Sequence, residues 1–236
     1  LAVVLKYGKS SWYADITGIS GHFRIRPTRM LSLHRPAPPP LIKISGASPF
    51  QWPSCSKSTM KGKIAVFCSA SNNIDPKYNK VAADFVRAAS LCGYGVVTGG
   101  TVKGTMGVVS DALRDCGGYH LGVIPRFMEQ YVYPELSEVI WTDTMAERKM
   151  LLRKDTLGVV ALPGGVGTLD EVIDTLALVH LKQYGGKVML LNHEGFYEPL
   201  RALLQHYVDE GMMPQATFDK VLFADTADQI INMLES

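Results

Sequence analysis

No run of about 18 apolar residues, the length a membrane-crossing helix needs, occurs anywhere in the chain, so no membrane partner is expected. The four cysteines, Cys55, Cys68, Cys92 and Cys116, form no C-x-x-C pair, and the six histidines form no H-x-x-H or H-E-x-x-H pattern. Zinc spacing and a disulfide framework are both missing. The expectation is reduced thiols in an intracellular protein with neither a metal nor a bound cofactor. No G-x-x-x-x-G-K-[ST] and no G-x-G-x-x-G occurs, so a Walker A loop and a dinucleotide fingerprint are excluded. Acid is scarce at the start: residues 1–59 hold eight basic residues and only Asp15 against them. That leaves 16 of the 24 basic and 21 of the 22 acidic residues for 60–236. A mildly acidic body of this kind is a poor nucleic-acid binder.

What is present divides at Met60. The first 59 residues carry seven of the 13 prolines, including "RPAPPP" at 35–40, with scattered serines and weak apolar periodicity. A basic, Ser-rich, acid-poor leader has the composition of an organelle transit peptide. A disordered extension and a wrongly assigned chain start are the competing readings. Met60 opens "MKGKIAVFCSA", which reads as a domain start. The expected organisation is a leader or targeting segment over 1–59 and one domain over 60–236. The expected location is the cytoplasm, with organelle targeting by the leader left open.

From Lys63 the pattern alternates. Short apolar runs at 64–68, 94–98, 120–125, 138–142, 157–162, 187–192 and 220–225 read as strands. Helical spacing fills 76–91, about 105–116, 145–154, 168–183, 196–209 and 227–235. Strands alternating with helices predict an α/β fold: a Rossmann-like, doubly wound parallel sheet with helices on both faces. Ligands of such sheets bind beyond the carboxyl ends of the strands.

The unusual residues gather there. "ALPGGVGTLDEV", Ala161 to Val172, joins a strand to a helix through three glycines. One reading is structural: a tight turn, then a capping box in which Thr168 caps the helix and Glu171 reaches back. Leu169, Val172, Ile173, Leu176 and Val179 then share one helical face. The other reading is a phosphate cradle, because backbone amides at a helix start point at an anion and the helix dipole favours it. A second glycine-rich loop, "GGTVKGTMG" from Gly99 to Gly107, also opens a helix. "SASNN", Ser69 to Asn73, follows the first strand of the body and could donate hydroxyls or form an ordinary polar turn. In "TDTMAERKM", Thr144 and Glu147 can form a capping box. Arg148 and Lys149 then sit near a helix start, where cations oppose the dipole and an anionic ligand would explain them.

With these residues in place the chain resembles the LONELY GUY family of cytokinin riboside 5′-monophosphate phosphoribohydrolases. "PGGVGTLDE" (163–171) matches that family's P-G-G-x-G-T-x-x-E motif at every fixed position, and "ERK" (147–149) matches its Arg-Lys motif. The resemblance covers roughly 64–235, including "VFCSAS" and "GVIP". It departs where the family's G-G-G-x-x-G-L-M-G loop has Thr101 and Thr105 here, and where G-S-S is Ser69-Ala70-Ser71. Members have carried a lysine decarboxylase label, but no lysine context for pyridoxal phosphate is visible. The resemblance implies hydrolysis of the N-glycosidic bond of an AMP-type nucleotide bearing an N6 prenyl-type group. It implies Glu171 and Arg148 as the catalytic pair. It implies Lys149, Gly164, Gly165, Gly167 and Thr168 as substrate-binding, with Gly100, Gly104 and Ser71 as further candidates, and a homodimer. Read without turnover, the same fold would be a nucleotide-binding sensor or carrier.

Overall fold

The computed structural model describes residues 60–236 and, within the first 59, the strands β1 (Ala2–Tyr7) and β2 (Ser10–Asp15). These two pair antiparallel as a hairpin. The rest of the expected leader lies outside the described residues. The chain divides into two units, Leu1–Pro49 and Phe50–Ser236.

The second unit carries the alternating pattern. In order it runs β3 (Gly62–Phe67), α1 (Pro76–Leu91), β4 (Tyr94–Thr98), α2 (Gly104–Asp115), β5 (His120–Pro125), β6 (Glu138–Thr142) and α3 (Met145–Arg153). It continues through β7 (Thr156–Ala161), α4 (Val166–His180), β8 (Lys187–Leu191), α5 (Glu198–Asp209), α6 (Gln215–Phe218), β9 (Val221–Ala224) and α7 (Ala227–Glu235). The seven strands β3 to β9 form one parallel sheet in the order β6-β5-β4-β3-β7-β8-β9. The chain winds outward from β3 through β6, then returns to lay β7 against β3. That reversal opens a crevice between the loops after β3 and β7, the usual ligand site of doubly wound sheets.

Alternation along β3 builds both layers of the core. Ile64 and Val66 face one way, with α1, α2 and α7. Ala65 and Phe67 face the other, with Leu152 of α3, Val172 and Leu176 of α4, and Leu200 and Leu204 of α5. The local starts and stops follow ordinary chemistry. Asp75 caps α1 by accepting from the Lys77 N–H, and Pro76 occupies the first turn. Gly93, at φ +88°, ends that helix in a conformation L residues avoid.

Candidate functional site

The expected capping box on α4 is not there. The helix begins two residues earlier than its pattern predicts, at Val166 with Gly165 as N-cap, so Thr168 lies inside the first turn. Its buried hydroxyl has no partner. Glu171 does not reach back either. Its Oε1 accepts from Arg148 Nη1 of α3 at 3.1 Å. The capping box on α3 does form: the Glu147 N–H donates to Thr144 Oγ1, and Glu147 Oε2 accepts from the Asp143 N–H. The predicted apolar face of α4 also splits. Val172 and Leu176 are buried and Val179 packs beside them, whereas Leu169 and Ile173 are each 41% exposed; Val166, outside the predicted face, is 85% exposed.

The Arg148–Glu171 pair is enclosed, with side-chain exposures of 9% and 12%. Arg148 is held further by Nε donating to the Val123 carbonyl at 3.1 Å. Burial pushes the Glu171 carboxyl above its ordinary value, and Arg148 pulls it back down. Cys68, at the end of β3, is buried beside them. Burial first, and the Glu171 charge second, push its thiol far up, so it stays neutral.

Lys149, one residue on, is not aimed into open space. Its Nζ lies 3.1 Å from Asp170 and 3.4 Å from Asp174, while Arg153 pairs with Asp174 at 2.6 Å. Lys149 and Arg153 on α3, and Asp170 and Asp174 on α4, are each four apart. They form a two-rung ladder that fixes α3 against α4. This pairing left no distinct signal in the motif, because each acid also reads as an ordinary solvated helix residue.

The glycines around the crevice do different jobs. A Cβ on Gly164 would collide with Thr168 Oγ1, so that glycine makes room for the hydroxyl. Gly165 and Gly167 have neither a positive φ nor any neighbour within 4 Å of an added Cβ. Neither backbone geometry nor packing requires glycine there, and what the two leave is bare backbone. The first intrahelical bond of α4 runs from Leu169 N to Gly165 O, so the amides of Val166, Gly167 and Thr168 precede the ladder. These amides and the Thr168 hydroxyl are donors suited to an anion at a helix start.

The second loop is more internally bonded. The Gly100 N–H donates to Thr98 Oγ1, and its φ of +62° brings it against Gly122. The Gly104 N–H donates to Asn72 Oδ1, and a Cβ there would run into Ser71 O and Ala70 C. Ser71 Oγ accepts from the Asn73 N–H. So Gly104 and Ser71 meet each other, as the loops after β3 and β4 interlock, and Gly100 packs on β5. The departures at Thr101 and Thr105 are absorbed locally: Thr105 donates to Asn79 Oδ1, and Thr101 donates to Met106 Sδ. Among the described residues no group of three or more His, Cys, Asp or Glu could hold a metal ion, and no helix is long and apolar enough to cross a membrane.

Comparison with known proteins bears on the family and the fold. A family model described as "possible lysine decarboxylase" matches residues 106–234. A Mycobacterium tuberculosis protein named cytokinin riboside 5′-monophosphate phosphoribohydrolase is 34% identical over 167 residues, covering 69% of this chain and 87% of its own. An Arabidopsis thaliana protein named cytokinin riboside 5′-monophosphate phosphoribohydrolase LOG2 is 31% identical over 175 residues, covering 73% and 82%. Among solved structures, a molybdenum cofactor binding protein of Rippkaea orientalis aligns at 21% identity with a TM-score of 0.58, covering 76% of this chain and 98% of that one. The molybdenum cofactor carrier protein of Chlamydomonas reinhardtii aligns at 20% and 0.59, covering 74% and 96%. At that identity the two structures speak to the fold alone. The sequence relatives, the family model and the complete PGGVGTLDE motif together place this chain in the cytokinin riboside 5′-monophosphate phosphoribohydrolase, or LONELY GUY, family.

Proposed function

We propose that this chain hydrolyses the N-glycosidic bond of N6-substituted adenosine 5′-monophosphates, giving free base and ribose 5-phosphate. The observation that carries the reading is a buried Glu171, paired to Arg148, one turn beyond a bare helix start. The 5′-phosphate would lie on the amides of 166–168 and the Thr168 hydroxyl, with Gly164, Gly165 and Gly167 admitting it. Glu171 would stabilise the oxocarbenium-like ribose and take a proton from the attacking water, the two tasks carboxylates perform in glycoside hydrolysis. Arg148 supplies the cation beside the leaving base or the phosphate, while Lys149, paired with Asp170 and Asp174, holds α3 and α4 in register around it. The names of the relatives support this substrate class. The test is incubation with AMP and with N6-isopentenyl-AMP, followed by chromatography for released base. Release from the N6-substituted nucleotide is the expected result. AMP binding without release from either would make the chain a sensor or carrier on this fold.

The assembly is read as a homodimer. Val166, Leu169 and Ile173 form an exposed apolar stripe along α4, the kind of surface that marks an association site. Light scattering should give twice the monomer mass, and Leu169→Glu with Ile173→Glu should give the monomer. A monomeric wild-type chain would refute the assignment.

A further inference from the structure

Gly99 begins the loop after β4, where glycines read as part of a phosphate cradle. Its surroundings give it another task. Gly99 is buried, and its φ is not among the positive ones, so its backbone is open to any residue. An added Cβ, however, would collide with Arg148 Nη2, lie 3.4 Å from Arg148 Cζ and 2.9 Å from Met106 Sδ. The thioether can turn away, because methionine is flexible. The guanidinium cannot move without giving up its bonds to the Val123 carbonyl and to Glu171, both 3.1 Å.

We propose that Gly99 is a positioning residue: its missing Cβ is the slot that seats the Arg148 guanidinium against Glu171. Three segments make the slot. β4 supplies the gap at Gly99, β5 the carbonyl of Val123, and α3, which follows β6, the arginine. Its consequence for turnover rests on the hydrolase reading above, but the geometry of the slot does not.

The test is a cycle of Gly99→Ala and Arg148→Ala, read by melting temperature, by 13C NMR titration of the Glu171 carboxyl, and by base release. The groups facing Glu171 are Arg148 and Lys149 from α3, Asp170 on its own helix, and Cys68 at the end of β3. With Arg148 forced out, the main opposition to burial is gone, so alanine at 99 should move the Glu171 titration further up. It should also lower kcat by about a hundredfold or more, the usual cost of a misplaced reacting group. In the Arg148→Ala background the same alanine should leave the titration unmoved and lower the melting temperature far less than it does in the wild type, because only the flexible Met106 thioether is left to turn aside. An unchanged titration in Gly99→Ala, or equal losses in both backgrounds, overturns the proposal. Should Gly99→Ala fail to fold, a folded double variant upholds the slot, and a double variant that fails where Arg148→Ala alone folds overturns it. If the wild-type chain releases no base, the hydrolase reading falls while the titration still decides the slot.

Discussion

Burial and Arg148 act on the Glu171 carboxyl in opposite directions, and burial wins. A carboxylate whose folded pKa is raised contributes stability that is full below its ordinary value and is lost as pH rises through the raised one. Burial therefore opposes the ionised form and the bond to Arg148 favours it, and a carboxylate raised in this way suits a base that must take a proton. Two outcomes follow for kcat/KM against pH. The acid limb should fall with an ionisation above the ordinary carboxylate range, and Arg148→Ala should move that ionisation higher still. An acid limb at the ordinary value, unmoved by Arg148→Ala, would remove Glu171 from the chemistry. None of this coupling could be read in the sequence, where Arg148 and Glu171 stand 23 residues apart. The motif named both residues; only the packing of α3 on α4 joined them.

The start of α4 shows where local pattern and tertiary structure part. S/T-x-x-E is a sound capping signal, and on α3 it holds for Thr144 and Glu147. On α4 the same signal misleads, because Gly165 opens the helix first and Arg148 draws Glu171 away. Apolar spacing misleads there in part: Val172, Leu176 and Val179 reach the core, but Leu169 and Ile173, which fit the same face, do not. Gly165 and Gly167 give the sharpest test at this scale, since neither is needed for the fold. Gly167→Ala should leave the melting temperature unchanged or raise stability by up to about 1 kcal/mol, the usual gain of alanine over glycine in a helix. It should weaken AMP binding by about tenfold or more, on the scale of one charge-assisted hydrogen bond. Calorimetry and thermal melts on one preparation check both. A destabilised variant with unaltered affinity would make Gly167 a structural glycine.

Across the whole molecule the alternation of strands and helices was legible throughout 62–235, because each strand is a short apolar run bounded by glycine, proline or polar residues. The strand order was not, since register and neighbours depend on contacts between distant segments. The four-residue α6 and the 3-10 turns at Arg126–Tyr131 and His193–Gly195 were too short for any periodicity to show. Among the described residues, both core layers are built from residues 64–231. With its many prolines and weak apolar periodicity, the leader has little to bury, so a chain beginning at Met60 should melt at the same temperature and turn over at the same rate as the full chain, and a large loss of either would assign a structural role to residues 1–59. The central claim is that Glu171 is chemistry and not a helix start, and Glu171→Gln tests it most directly. Glutamine keeps the shape and an oxygen for Arg148, but it cannot take a proton as a carboxylate does. Base release, AMP affinity and melting temperature should be measured together on that variant. The account predicts a folded, AMP-binding protein whose kcat is lower by about 10² to 10⁴, the usual worth of a general base. A folded variant that still releases base from N6-isopentenyl-AMP at the wild-type rate would contradict it.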